Sequence, residues 1–250
     1  MVRQSRAPVV ILTRPAAQSA RFTADLLARW PGLRVITSPV IAPEFLPLAD
    51  LPPVSAVIFT SETGVAAMAQ RRADLPDRAY CVGARTAAAA QAAGFDTRSA
   101  DGDAEALFRL IVTHEPRPGP LLHLCGEDRR GDLAERLTHA GYQAGAQVVY
   151  AQRALPLGPQ ARAALAGADP VLLPVFSPRS ARILAQELQA PAPRAPYGIA
   201  AISAAAAAPF ASLPPNRLKI AERPDAAAML DACVAVLNGL PWVEPWETNV

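Results

Sequence analysis

Two stretches of the chain echo one another. Val57-Ile58-Phe59-Thr60-Ser61 runs into a helical segment, and Cys81-Val82-Gly83 follows, with Arg85, Thr86 and a second helical segment behind it. The pattern returns as Leu173-Pro174-Val175-Phe176-Ser177-Pro178 with a helix, then Ala201-Ile202-Ser203 with a helix. The first copy continues through 121–126, a helix carrying Leu133 and Leu137, and a strand that reaches Tyr150. The second copy lacks that continuation, and matching pieces stand at the other end: Val10-Ile11-Leu12-Thr13-Arg14, a helix with Leu26 and Leu27, then a strand at 34–38. If the copies are structurally equivalent, the opening elements complete the C-terminal copy, and the middle copy is an insertion. Two crossings then join the lobes. Paired linkers of that kind are expected to form a hinge beside a cleft at the strand ends.

Short β-type apolar runs alternate with Ala/Leu/Arg segments of helical length, the signature of parallel sheets covered by helices on both faces. Strands are expected at 9–13, 34–38, 56–60, 79–83, 121–125, 147–152, 171–176, 198–202 and 218–221. Proline-rich punctuation at 31–32, 52–53, 116–120 and 191–196 marks loops. The predicted class is α/β, with two parallel-sheet domains, the first discontinuous. Its boundaries are 1–37 plus 154–239 for the discontinuous domain and 42–148 for the inserted one, with paired linkers at 38–41 and 149–153 and a tail at 240–250.

Apolar side chains make up 51% of the 250 residues, enough to bury two small cores. No apolar run approaches the roughly 18 residues of a membrane span, and the run at 9–13 is too short for the core of a signal peptide. A cytoplasmic protein is expected. The three cysteines are widely spaced, which argues against a disulfide framework or a zinc knuckle. A net charge of +2 excludes a binder that depends on many phosphate contacts. His114, His123 and His139 have no partner at metal-ligand spacing. Neither a dinucleotide fingerprint nor a P-loop is present, and no metal or cofactor is expected.

The motifs Leu12-Thr13-Arg14-Pro15, Phe59-Thr60-Ser61, Val82-Gly83 with Thr86-Ala87, Val148-Val149-Tyr150 and Phe176-Ser177-Pro178 together resemble the uroporphyrinogen-III synthase family, over roughly 9–237. The resemblance implies two flavodoxin-like, or Rossmann-like, domains joined by a two-stranded linker. It also implies an enzyme, a carbon–oxygen lyase that acts on hydroxymethylbilane, a linear tetrapyrrole with eight carboxylates. That enzyme closes the ring with loss of water and inversion of the terminal pyrrole, without a cofactor. In one departure, Ser203-Ala204-Ala205-Ala206 replaces the Gly and Thr pair usual in the family, so no hydroxyl is available at 205 or 206. In another, the tail with Trp242 and Trp246 lies outside the resemblance.

For that chemistry the free substrate closes unaided to the uninverted isomer, so conformational control matters more than a strong nucleophile. Tyr150, on the crossing strand, is the candidate acid for the departing hydroxyl; otherwise it is an amphipathic tyrosine at a domain junction. Ser61, Gly83, Thr86, Gly126, Ser177 and Ser203 follow strands, where helix N-termini aim backbone N–H groups at anions. Ordinary helix capping explains the serines equally well. Arg14 is expected either to pair with a propionate or to anchor a loop. Two other readings stay open: a hinge-closing binder of a small anionic metabolite, and a degenerate homologue without activity. The partner expected is the tetrapyrrole alone, with no nucleic acid or membrane, and the chain is expected to be a monomer.

Overall fold

The computed structural model describes residues 8–48, 50–114, 119–128 and 131–240. The expected tail, apart from Leu240, lies outside the described residues. The strands are β1 Val9–Leu12, β2 Arg34–Thr37, β3 Ile41–Phe45, β4 Ala56–Phe59, β5 Arg78–Cys81, β6 Asp96–Ser99, β7 Leu121–Gly126, β8 Ala144–Ala154, β9 Val171–Val175, β10 Tyr197–Ala201 and β11 Arg217–Ile220. The helices are α1 Ala16–Arg29, α2 Glu62–Met68, α3 Ala84–Ala92, α4 Ala104–His114, α5 Leu133–His139, α6 Pro159–Ala166, α7 Pro178–Glu187, α8 Ala204–Ala207 and α9 Ala226–Leu237.

Contacts divide the chain into two units, one comprising Met1–Ala42 with Ala154–Val250 and the other Pro43–Arg153. The outer unit holds a five-stranded sheet in the order β11-β10-β9-β1-β2, in which every pairing is parallel. In it β1 lies between two neighbours, with Val9 beside both Arg34 and Val171. The middle unit holds a six-stranded sheet, β3-β8-β7-β4-β5-β6, parallel from β8 to β6. Two parallel sheets, one of them assembled from both ends of the chain, agree with the predicted class.

The central strands β1 and β4 are apolar at every position because both of their faces are covered. In β1, Val9 and Ile11 join one core while Val10 and Leu12 join the other, the period-two alternation of a pleated strand. In β4, Val57 and Phe59 face one side, and Ala56 and Ile58 the other. Each such aliphatic or aromatic burial contributes about 1.5–3 kcal/mol. The helices close these faces: Phe22 and Leu26, one turn apart on α1, meet Met229, Cys233 and Leu237 of α9 in a single cluster.

The edges follow another rule. All four residues of β11 are exposed, and Arg217 and Lys219 charge that edge, which discourages pairing with another chain. Two strands were not foreseen. β6 reads Asp-Thr-Arg-Ser and is held by its register with β5, from Arg78↔Asp96 to Cys81↔Ser99. β3 reads Ile-Ala-Pro-Glu-Phe and lies beside β8, which is longer than the expected strand at 147–152.

Candidate active site

In a parallel sheet the carboxyl ends of the strands, and the helix starts that follow them, share one edge. The structure places the predicted site residues there in both units. In the middle unit, Ser61 follows β4, Gly83 follows β5, and Gly126 ends β7 beside Tyr150 of β8. In the outer unit, Arg14 lies just past β1, Ser177 just past β9 and Ser203 just past β10.

The repeat reaches the level of individual residues. Residues 59–68 and 175–184 run through the same order of buried, half-buried and exposed positions, and so do 81–90 and 201–210. Ser61 (φ −155°, ψ 150°) and Ser177 (φ −156°, ψ 150°) have the same backbone. Each caps its helix three residues on: Ser61 Oγ accepts from Gly64 N at 3.0 Å, and Ser177 Oγ from Ser180 N at 3.1 Å.

The hydroxyls then diverge. Ser180 turns its own hydroxyl back onto Ser177, with Oγ to Oγ at 2.6 Å. Its counterpart is Gly64, which has no side chain to do so, and Ser61 Oγ instead meets the phenol of Tyr150 at 3.0 Å. Gly126 lies under the same ring: a Cβ there would stand 2.7 Å from Tyr150 Cζ. Among the predicted residues, Ser61, Gly126 and Tyr150 therefore form one cluster.

The second cap position differs as well. Ser203 accepts from Ala206 N at 3.3 Å, whereas Gly83 leaves α3 without a side-chain cap. Gly83 is extended, a conformation open to any residue, and a Cβ on it would meet nothing within 4 Å. Local structure does not require glycine at 83, so the bare first turn of α3 is open to approach from outside. Thr86, in that first turn, is 6% exposed. Gly126 does not open a helix, since α5 begins at Leu133, and the amide of Glu127 after it already donates to Tyr150 O at 2.9 Å.

Arg14 behaves as an anchor. Its guanidinium stacks 4.0 Å above Phe176, its Nε donates to Gln18 Oε1 at 3.2 Å, and its carbonyl accepts from Ser19 Oγ at 3.0 Å.

Sequence reasoning gave no site role to Arg153 or to the contact of His123 with Thr60. Arg153 donates to Glu44 at 2.6 Å and to Glu127 at 3.0 Å, tying β3 and the end of β7 to β8. The Glu44 bond, and then the Glu127 charge, raise the pKa of that guanidinium. His123, buried in β7, lies 3.1 Å from Thr60 Oγ1. These partners are 26 to 109 residues apart, so no local pattern announces them. Burial pushes the Cys81 thiol up to about 11 and raises Cys233 further, which makes both poor nucleophiles. Among the described residues no His/Cys/Asp/Glu group could hold a metal ion. One cavity, lined by Leu157, Arg162 and Glu187, lies away from these strand ends, and another, lined by Glu222, Arg223 and Asp231, lies just past the end of β11.

The family described as Uroporphyrinogen-III synthase HemD matches residues 23–231. The chain belongs to the uroporphyrinogen-III synthase family. It is accordingly an enzyme of tetrapyrrole biosynthesis, a hydro-lyase of a family whose substrate is hydroxymethylbilane. Among solved structures it is similar to uroporphyrinogen-III synthetase from Helicobacter pylori, at 18% identity and a TM-score of 0.59, over 92% of this chain and 99% of that one. That likeness shows the two-domain α/β fold. A mutant uroporphyrinogen III synthase from the extremely thermophilic bacterium Thermus thermophilus is 18% identical, with a TM-score of 0.44 over 93% and 99% of the two chains. No curated protein matches the chain. Among the described residues no helix is long and apolar enough to cross a membrane.

Proposed function

We propose that the chain turns hydroxymethylbilane into uroporphyrinogen III as a cytoplasmic monomer, with Tyr150 as the acid that releases the terminal hydroxyl. The phenol proton passes to that hydroxyl, water leaves, and the terminal pyrrole unit becomes an electrophilic azafulvenium cation beside the phenolate. The last ring attacks through its substituted carbon, and the spiro intermediate fragments and recombines inverted. The proton shed as the ring regains aromaticity returns to the phenolate, so the net change is loss of one water.

The observation that carries this reading is the 3.0 Å contact of Tyr150 with Ser61 at the strand ends, where the half-buried phenol is fixed yet reachable. Gly83 and the first turn of α3 are suited to a substrate carboxylate through backbone amides. Ser177, Ser203 and Arg14 serve the outer unit chiefly as caps and anchor. We take the inserted domain as 42–148 and the discontinuous one as 1–37 plus 154–239, a division supported by the two contact units.

The direct test supplies hydroxymethylbilane, oxidises the products and separates the isomers by chromatography. Type III isomer formed faster than in buffer is the expected result. Type I alone, at the buffer rate, would leave a binder or an inactive homologue.

A further inference from the structure

We propose that Ser61 and Gly126, with a one-residue bulge in β8, are positioning residues that aim the proton of Tyr150 at substrate; the inference rests on the acid role given to Tyr150 above. The pairing of β7 with β8 is regular from Leu121↔Ala144 to Cys125↔Val148, then jumps to Gly126↔Tyr150, leaving Val149 as the extra residue. In a regular strand, neighbours point to opposite faces. Here Val149 and Tyr150, adjacent in sequence, both pack on the core that holds Phe59 and Val65. The bulge has turned the tyrosine back to the face where α2 begins.

That turn brings the ring across β7. The ring fits only because position 126 lacks a Cβ, whose nearest contacts would be Tyr150 Cζ at 2.7 Å, Cε2 at 2.8 Å and the hydroxyl at 2.9 Å, too close for any side chain. The phenol then ends on Ser61. A serine hydroxyl has one proton to give and two lone pairs to receive with. Ser61 Oγ already receives the Gly64 amide proton, and because Gly64 has no hydroxyl, no counterpart of Ser180 draws on the serine's proton. The 3.0 Å contact accommodates either hydroxyl as donor, and we assign the donation to Ser61. Tyr150 keeps its own proton for a group outside the protein.

The test uses the full chain as Gly126→Ala, Tyr150→Phe and the double variant, following turnover, KM and the ratio of type III to type I product. Misplacing a catalytic group by about 1 Å costs roughly 100-fold. Gly126→Ala should lose turnover on that scale with KM little changed and shift product toward type I. The double variant should be no slower than Tyr150→Phe, because the alanine acts only through the phenol. Unchanged turnover and isomer ratio in Gly126→Ala, while Tyr150→Phe has lost both, overturns the inference and leaves the acid role intact. Losses that multiply in the double variant also overturn it. Full activity in Tyr150→Phe rejects the acid role itself. If Gly126→Ala does not fold, Ser61→Ala and Ser61→Thr decide in its place: the alanine should lose turnover and isomer fidelity and the threonine restore them, and equal behaviour of the two overturns the inference.

Discussion

The start of α2 in the middle unit and the start of α7 in the outer unit share a burial order and a capping serine with the same backbone angles, and three residues past that serine one has Gly64 where the other has Ser180. Ser180 closes the outer cap on itself. Gly64 leaves the middle cap open, and the freed serine reaches Tyr150. A duplicated scaffold thus becomes asymmetric at its helix caps. The same holds one strand over, where Ser203 caps its helix and Gly83 does not.

Replacing Tyr150 by Phe should produce the largest effect, a loss of roughly 100-fold in type III formation with unfolding temperature little changed, because one positioned proton donor contributes about that much. Next come the paired caps. Ser61→Ala and Ser177→Ala should each lower stability by about 1 kcal/mol in denaturant unfolding, yet only Ser61→Ala should also slow turnover. If Ser177→Ala slows turnover as much, the asymmetry is not functional.

Gly83→Ser copies the outer unit's cap into the middle unit. It should add a few tenths of a kcal/mol, the usual difference between Ser and Gly at this position, while raising KM. A variant that is stabilised with KM unchanged would remove α3 from substrate binding. Arg153→Met should do least, a small drop in unfolding temperature, since both ion pairs of Arg153 are half exposed. Thermal unfolding reads that difference directly.

The parts of this fold legible in the sequence are those where one segment carries its own evidence. The runs Val9–Leu12 and Ala56–Phe59 announce central strands because both of their faces are apolar. Asp96–Ser99 announces nothing, because its strand character comes from the backbone of β5 rather than from its side chains. At the site, Ser61 and Tyr150 could be nominated from motif and position, but their contact spans 89 residues. Gly126 was expected to offer its backbone to an anion. Its lack of a Cβ also makes room for a ring, because a register jump of one residue, invisible in composition, sets Tyr150 opposite it.

The position of β1 also has a consequence for synthesis on the ribosome. It lies between β2 and β9, so one flank of the outer sheet leaves the ribosome early while its partner strand, Val171–Val175, follows only after the whole middle unit. At about 5–20 residues per second, the nascent chain carries a wholly apolar strand with one edge unpaired for roughly ten seconds or longer. The middle unit, complete by Arg153, can fold during that interval. Any holdase that protects this protein at birth should therefore bind the segment around Val9–Leu12.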